Sequence, residues 1–259
     1  MRLKDRVAII AGGSAGIGEA TAKLFAKEGA KVVVAARTQP RLNEVLRAVQ
    51  KFGDAIAVEA DTQKEADVAK MCEAAMKKYG RIDIMAAVAG YGGRVVKPAI
   101  ELSLKEWNEV FDGNMTNTFL CSREALKYMI PAKRGGSILT FSSAAASTGN
   151  LNRSAYSAAK AAVVGYTRAL AREVGPHGIR VNCISPVAST EKLMSGLTAQ
   201  AQRIGTTLEA VKKGITTGAA LGRMPTPEEV AYTCLYLACD ESSGITGQTI
   251  DVNCGTNMR

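Results

Sequence analysis

Tyr156 and Lys160 lie four positions apart in an Ala-rich run, residues 153–174, that predicts a helix. Side chains four apart share one face of a helix, so the phenol and the ammonium point the same way. A free tyrosine loses its proton near pH 10, and a neighbouring cation favours the phenolate and lowers that pKa. The pair predicts a group that exchanges a proton near neutral pH. The alternative is two unrelated residues at a common helical spacing.

A glycine-rich segment near the N-terminus predicts a phosphate site. Residues 6–11 form a short apolar, β-branched run, and residues 12–18 follow at once before a helical pattern. In this context Gly12 permits a tight turn, Gly16 lets backbone approach a pyrophosphate, and Gly18 lets helix and strand pack closely. The N–H groups at the helix N-terminus would then bind the phosphates. An ordinary glycine-rich loop is the alternative.

Arg37 bears on the type of dinucleotide. The second predicted strand, residues 31–36, is followed by Arg37 and Thr38, with no acidic residue at its end. In dinucleotide folds an acid there accepts hydrogen bonds from the ribose 2′-hydroxyl, whereas an arginine pairs with a 2′-phosphate. NADP(H) is therefore favoured over NAD(H). An exposed loop arginine is the alternative, because arginine is mostly a surface residue.

The elements that must position these residues alternate along the chain. Strands are predicted at 6–11, 31–36, 55–59, 82–87, 137–142, 179–185 and 248–252, and helices at 19–27, 40–52, 64–79, 104–129, 153–174 and 226–239. This alternation predicts an α/β fold, a doubly wound parallel sheet of the Rossmann type, with ligands at the carboxyl ends of the strands. At 259 residues and 47% hydrophobic content, residues 1–259 are predicted to form a single domain.

The alternation lapses between residues 186 and 222, where the composition is polar and helical periodicity is weak around Leu193 and Leu208. Long excursions at the active-site edge of a compact domain are more often binding loops than linkers. Residues 188–220 are therefore predicted to be a substrate-binding loop or lid.

Composition narrows the function classes. The net charge is +9, but the basic residues are dispersed and aromatics make up only 5%, which argues against nucleic-acid binding. A small polyanion, such as a phosphorylated dinucleotide or a thioester, suits the charge, as does a basic surface without a partner. The sequence contains no apolar run of membrane-spanning length, and its N-terminus enters a strand pattern directly. A cytoplasmic protein that does not bind membranes is expected.

Cysteine and histidine usage predicts that the protein has no metal site. The six cysteines form no Cys-x-x-Cys pair, and the single histidine, His177, lies in a Pro-His-Gly turn. Reduced, buried thiols and a surface histidine are expected.

Taken together, these features resemble the short-chain dehydrogenase/reductase family over nearly the whole chain. Ser143 stands 13 positions before Tyr156, at the family spacing, and follows a predicted strand. Asn114 matches the family's helix asparagine, and Gly247-Gln248-Thr249 resembles its C-terminal Thr-Gly-Gln segment. The resemblance implies that the cofactor is bound by Gly12, Ser14, Gly16, Ile17, Gly18, Arg37, Asp61, Thr62, Ala89, Gly90, Tyr156, Lys160, Pro186 and Val187.

The resemblance also implies the catalytic roles. Tyr156 would exchange a proton with the substrate oxygen while hydride moves between the nicotinamide and the substrate carbon. Ser143 would hydrogen-bond that oxygen, Lys160 would hold the nicotinamide ribose and lower the tyrosine pKa, and Asn114 would hold a water in a proton relay. Donors aimed at the oxygen stabilise the charge that develops there. A homo-oligomer, either dimer or tetramer, is also implied.

Several positions depart from the family pattern. Ala11 stands where the family has threonine, and Ala87-Val88 replaces two asparagines, so other groups must tie this strand end to its neighbours. Val187 replaces the glycine after Pro186, with Thr190 one position early for the threonine that meets the carboxamide. Near the C-terminus, Asn253-Cys254-Gly255 replaces Asp-Gly-Gly, where the family builds subunit contacts.

The leading hypothesis is an NADP(H)-dependent oxidoreductase of a secondary alcohol or ketone, with a 3-oxoacyl thioester, a sterol and a cyclic ketone among the candidate substrates. The alternatives are a dinucleotide-binding redox sensor that does little chemistry, and an epimerase or dehydratase using the same tyrosine. The pocket is predicted to be lined by residues 91–96, 147–153 and 188–220. Within these segments Arg94, Arg153 and Lys192 are candidate contacts for an acidic or thioester substrate, with solvated surface positions as the alternative.

Overall fold

A computed structural model describes residues 1–90 and 95–258, and for Lys192 it describes the backbone but not the side chain. Within these residues seven parallel strands form one sheet in the order β3-β2-β1-β4-β5-β6-β7. The strands are β1 (Val7–Ala11), β2 (Lys31–Ala36), β3 (Ala55–Glu59), β4 (Ile84–Ala87), β5 (Gly136–Phe141), β6 (Ile179–Pro186) and β7 (Thr249–Val252). The order reverses direction between β1 and β4, which confirms the predicted doubly wound α/β fold.

Helices cover both faces of the sheet. They are α1 (Gly16–Lys27), α2 (Gln39–Gln50), α3 (Glu65–Tyr79), α4 (Leu104–Phe111), α5 (Asn117–Ala132), α6 (Ala145–Thr148), α7 (Ser154–Val174), α8 (Glu191–Arg203), α9 (Leu208–Thr217) and α10 (Pro227–Ala238). Helices α1, α2 and α10 pack on one face, and α3, α5 and α7 on the other. Ile10 joins the first core and Ile9 the second. The central strands are apolar throughout because both faces are covered.

The predicted single helix at 104–129 is interrupted. A π-helical turn, Asp112–Thr116, separates α4 from α5. Gly113 lies inside this turn, and the Asn117 side-chain amide donates to its carbonyl over 3.0 Å. The helical pattern on either side predicted one continuous helix, because a wide turn adds a residue without ending the helix. Such turns are often found at functional sites, and this one carries Asn114.

The polar segment after β6 is more ordered than predicted. It contains α8 and α9, each begun by a threonine whose hydroxyl accepts a backbone N–H from its first turn. Thr190 accepts from Leu193 and Thr207 from Ala210, each over 3.2 Å. Threonine caps were the available sequence signal for both helices. The segment that was predicted to be a loop or lid is therefore mostly helical.

Candidate active site

Tyr156 lies in the first turn of α7, and Ser143 lies two residues beyond β5. The Ser143 hydroxyl acts on the Tyr156 phenol as a side-chain hydrogen-bonding group and lowers its pKa. The Ser143 Oγ also accepts the Ala145 N–H over 3.3 Å, which orients the serine at the start of α6. The structure thus brings together the two hydroxyls that the sequence placed 13 positions apart. Both could contact one substrate oxygen.

Lys160 is buried, with 5% of its surface exposed. Its Nζ donates to the Phe141 carbonyl over 2.8 Å and lies 5.9 Å from the centre of the Tyr156 ring. The Ser142 hydroxyl donates to the Lys160 carbonyl over 2.8 Å, which ties α7 to the end of β5. The Lys160 ammonium is therefore held at the end of β5, near the Tyr156 ring.

The pKa of Tyr156 departs from the sequence prediction. Burial raises it above the ordinary tyrosine value, while the Ser143 hydrogen bond and the charge of Arg153 lower it by less. The prediction of a lowered value is wrong for the protein without cofactor, because burial disfavours the phenolate and outweighs these favourable groups. Tyr156 thus keeps its proton at neutral pH and is set up as a proton donor.

Asn114 is completely buried in the π-helical turn, and its side-chain amide donates to the Val110 carbonyl over 2.7 Å. Gly90 lies between Asn114 and Lys160. A Cβ at Gly90 would lie 3.3 Å from the Lys160 Nζ and 3.5 Å from the Asn114 Oδ1. The three predicted site residues therefore converge on one small space, which a side chain at position 90 would fill.

The glycine loop connects directly to this group. Gly12 has φ +91°, and a Cβ there would lie 2.6 Å from the Ala89 nitrogen. A Cβ at Gly18 would lie 2.1 Å from the Gly12 carbonyl oxygen, so Gly18 packs the helix against the turn itself. Ala15, the residue before α1, provides no side-chain cap. The first-turn N–H groups are thus left for a phosphate, and the loop fits a dinucleotide.

Asn117 replaces the amides missing at the end of β4. The Ala89 N–H donates to the Ala11 carbonyl over 2.8 Å, and the Asn117 side chain donates to the Ala89 carbonyl over 3.0 Å. This buried amide, on α5, is a site residue that sequence analysis missed. The available signal was an asparagine three positions after Asn114, on a helix predicted to pack against this strand.

Two arginines lie near the end of β2, where the adenosine of a dinucleotide is expected. Arg37 is exposed just beyond β2, and the backbone N–H of Ala60 bonds to Ala36, so Asp61 and Thr62 lie beside it. Arg41, which sequence analysis missed, lies in the first turns of α2. Its Nε donates to the Ser14 carbonyl over 3.3 Å, and its guanidinium forms ion pairs with the carboxylates of Glu19 and Glu44, both at 3.0 Å. Arg37 with Arg41 four residues later was the missed signal.

The altered end of β6 continues the sheet. The Val187 N–H donates to the Val252 carbonyl over 3.1 Å, and Pro186 is the last residue of the strand. The threonine that comes early, Thr190, begins α8 and lies against the glycine loop: a Cβ at Gly16 would lie 3.0 Å from its Cγ2. The 188–220 segment therefore touches the predicted pyrophosphate site at its first residues.

Residues 253–255, which depart from the family pattern, form a turn with an internal hydrogen bond. The Asn253 Oδ1 accepts the Gly255 N–H over 2.9 Å, and Cys254 adopts a left-handed φ of +53°. The Cys254 carbonyl accepts the Leu221 N–H over 3.1 Å, which bonds this C-terminal turn to the residue that follows the 188–220 segment. Asn257 then donates to the Ser147 hydroxyl over 2.8 Å, beside the site.

Some predicted features lie outside the described residues, namely residues 91–94, including Arg94, and the Lys192 side chain. In the described ranges, 1–90 and 95–258, no cluster of three His, Cys, Asp or Glu residues could hold a metal ion. In the same ranges no helix is both long and apolar enough to cross a bilayer. All six cysteines are free thiols, with only Cys254 partly exposed.

The chain matches a family model described as enoyl-(acyl carrier protein) reductase over residues 11–257. It is 36% identical to (+)-borneol dehydrogenase 2 of Salvia officinalis, over 98% of this chain and 90% of that protein. The chain belongs to the short-chain dehydrogenase/reductase family. As a member of this family, the protein is an oxidoreductase of alcohols or ketones that uses NAD(P).

Two other proteins are similar to this chain over nearly its full length. Cis-4-hydroxycyclohexanecarboxylate dehydrogenase of Sinomonas cyclohexanicum is 34% identical over 97% of this chain and 96% of its own length. The crystal structure of levodione reductase superposes with a TM-score of 0.92, at 29% identity and 98% coverage of both chains. The match thus extends over the sheet, the helices and the 188–220 segment of this dehydrogenase/reductase.

Proposed function

We propose that this short-chain dehydrogenase/reductase uses NADP(H) and interconverts a secondary ring alcohol and its ketone. The observation that carries the proposal is that Ser143 and Lys160 lie beside Tyr156, and that Lys160 is linked through Gly90 to the glycine loop. The proton-transfer group and the phosphate loop thus belong to one connected site. The names of three relatives, borneol, levodione and 4-hydroxycyclohexanecarboxylate, denote alcohols or ketones and support this substrate class.

The side chains divide the chemistry as follows. Bound NADPH supplies the hydride. Tyr156, protonated at neutral pH, gives its proton to the carbonyl oxygen as charge develops there, and Ser143 donates a second hydrogen bond to that oxygen. Lys160 is positioned by the Phe141 carbonyl to bind a ribose hydroxyl. Asn114 would hold a water in a proton relay.

Arg37 is proposed to pair with the 2′-phosphate. Replacing Arg37 with alanine is expected to raise the KM for NADPH about 10- to 100-fold, because one charge-assisted bond is lost, and to leave the KM for NADH nearly unchanged. Arg41→Ala is expected to have a smaller effect on NADPH, since Glu19 and Glu44 already hold that guanidinium. Steady-state kinetics with both cofactors measures the preference.

Arg47→Ala is the matched control, because Arg47 is an exposed arginine near the other end of α2. It is expected to leave both KM values unchanged. A wild-type preference for NADH that survives Arg37→Ala would overturn the NADP assignment.

The substrate class is tested with NADPH and a panel of ketones. The panel contains cyclohexanone, 4-oxocyclohexanecarboxylate, its methyl ester, a bicyclic ketone, a 3-oxosteroid and a 3-oxoacyl thioester. Reduction of the ring ketones is the expected result. Tight NADPH binding without turnover of any carbonyl would instead favour the redox-sensor alternative, and a product of unchanged oxidation state would favour an epimerase or dehydratase.

The protonation state of Tyr156 gives a further prediction. Its raised pKa means that the phenol stays protonated to a higher pH than a free tyrosine, so the difference absorbance at 295 nm between wild type and Tyr156→Phe should appear only above about pH 10. Far-ultraviolet circular dichroism at each pH checks that both proteins stay folded. A phenolate signal between about pH 6 and about pH 8 would contradict this prediction.

The cellular setting is proposed from the thiols and the resemblance. Six free cysteines suit a reducing compartment, which supports a cytoplasmic location. A homo-oligomer, dimer or tetramer, is the proposed assembly.

A further inference from the structure

Asn117, the first residue of α5, bonds two backbone carbonyls that belong to separate parts of the site. Its side-chain amide donates to the Ala89 carbonyl and to the Gly113 carbonyl, each over 3.0 Å. Asn117 is 3% exposed, so water competes little for these carbonyls. A primary amide has two N–H donors, and both are used. One side chain therefore ties the strand end after β4 to the π-helical turn before α5.

The two bonded carbonyls belong to the residues immediately before Gly90 and Asn114. A Cβ at Gly90 would lie 3.3 Å from the Lys160 Nζ and 3.5 Å from the Asn114 Oδ1. Asn117 thus holds the peptide units that lead into the space where Gly90, Asn114 and Lys160 meet. A shift of either segment would change the distance between Asn114 and the lysine.

The geometry of the π-helical turn explains the bond within the helix. The Asn117 N–H donates to the Asp112 carbonyl, five positions back. The Gly113 carbonyl, which this N–H would bond in an α-helix, is instead bonded by the Asn117 side chain. Asn114 and Thr118 bond the carbonyls four positions before them in the same way, each over 2.7 Å. The wide turn is therefore held by side chains.

The bond to the strand end has a different origin. Ala87-Val88 provides no side-chain amide at the end of β4. The Ala89 N–H bonds the Ala11 carbonyl over 2.8 Å, and the Ala89 carbonyl is bonded by Asn117. A bond within the helix would be enough to hold the wide turn. The additional bond to Ala89 makes the position of that turn depend on β4.

We propose that Asn117 is a positioning residue that sets the place of Asn114 relative to the end of β4, and so controls the return of a proton to Tyr156 after each reduction. This inference rests on the proposed function, in which Asn114 holds a water of a proton relay. The substrate carbonyl gains a hydride from NADPH and the proton of Tyr156. The phenolate that is left then takes one proton from solvent along the relay.

Asn117→Ala is expected to separate the first turnover from later ones. The first turnover should stay close to the wild-type rate, because the phenol begins protonated at neutral pH. Steady-state kcat should fall about 10-fold, because a misplaced relay group slows each return of the proton. The result is a burst of NADPH oxidation before a slower steady state, with kcat more sensitive to D₂O than in the wild type. Stopped-flow absorbance with a ring ketone that the wild type reduces measures both.

Asn117→Thr distinguishes the two bonds and keeps the helix supported. A threonine hydroxyl in a helix bonds the carbonyl four positions back, as Thr118 does here. This variant therefore keeps a bond to Gly113 and loses the one to Ala89. It should show the same burst and slow steady state as Asn117→Ala. Asn117→Gln retains the amide on a longer stem and should recover part of kcat.

Asn182→Ala is the matched control. Asn182 is a completely buried asparagine of β6 whose side chain donates to the Ile245 carbonyl over 2.8 Å and accepts the Gln248 N–H over 3.1 Å. Its loss should lower the stability to unfolding as Asn117→Ala does, but leave kcat and its sensitivity to D₂O unchanged. An equal fall of the first-turnover rate and of kcat in the Asn117 variants would overturn the proposal. So would wild-type kinetics in both.

Hydrogen exchange separates this inference from the proposed function. In the protein without cofactor, Asn117→Thr is expected to speed amide exchange in residues 84–90 and in residues 112–117 together, whereas Asn182→Ala should change neither segment. Faster exchange in one of the two segments alone would overturn the coupling. If the wild type reduces no ketone, or Tyr156→Phe keeps its rate, the proposed function fails, and coupled exchange would still support the positioning of Asn114 by Asn117.

Discussion

Tyr156→Phe is expected to lower kcat for ketone reduction about 10²- to 10⁴-fold, the usual contribution of a general acid. The substitution removes the proton donor and one hydrogen bond to the substrate oxygen, but keeps the ring that packs beside Val110, Ala155 and Ala159. The fold and the cofactor site should survive. Stopped-flow or steady-state NADPH oxidation with a ring ketone that the wild type reduces gives the rate, and fluorescence titration gives the NADPH affinity.

Tyr166→Phe is the control for this substitution. Tyr166 lies on the same helix and hydrogen-bonds Ser122, remote from the Ser143 hydroxyl, so its loss should change kcat less than about twofold. If Tyr156→Phe retained a tenth or more of the wild-type rate, Tyr156 would not be the proton donor.

Gly18→Ala is expected to disrupt the phosphate loop. The new methyl group would lie 2.1 Å from the Gly12 carbonyl oxygen and 2.9 Å from the Gly13 Cα, and both are backbone atoms without a flexible side chain to yield. Forcing such a contact costs about 1–3 kcal/mol of folding free energy. Because the loop must regain its shape to hold phosphate, NADPH affinity should fall ~10- to 100-fold. Chemical denaturation and calorimetric titration measure the two effects.

Gly175→Ala is the matched substitution. Gly175 has φ −53°, and a Cβ there meets nothing within 4 Å. Its stability and NADPH affinity should stay close to wild type, because an alanine at a helical φ introduces no strain. NADPH binding by Gly18→Ala at wild-type affinity would show that the close packing of α1 on the turn is not required.

Cofactor binding and proton transfer are separable in these two variants. Tyr156→Phe should bind NADPH without turning over, whereas Gly18→Ala should lose binding while its Ser143 and Tyr156 hydroxyls remain in place. A protein in which both variants bound and reacted alike would not be using the connected site described above.

Much of the fold followed from local pattern. The predicted bounds of β2 and β3 agree with the structure, and those of α7 agree within one residue. The first helix ends where it was predicted to end, at Lys27, but begins earlier, inside the glycine segment at Gly16. Buried parallel strands are continuous apolar runs and helices have a 3.6-residue period, so a short window is enough to identify either. The glycine motif and the Ser143 to Tyr156 spacing were visible for the same reason.

Contacts between distant segments were not visible in this way. The π-helical turn within residues 104–129 was not visible either, although its bonds are local, because an asparagine does not by itself show that its side chain bonds the carbonyl four positions earlier. The use of Asn117 to hold the Ala89 carbonyl depends on α5 packing against the end of β4, 28 positions away. The sequence showed only that two amides were missing.

The sequence by itself determined that the chain has a doubly wound sheet, a glycine-rich loop after β1, and a tyrosine and lysine on one helix face. These properties depend on residue type and spacing over short stretches. Only the tertiary structure decided that Tyr156 keeps its proton, because burial is a sum over neighbours from several elements and outweighs the polar groups beside it.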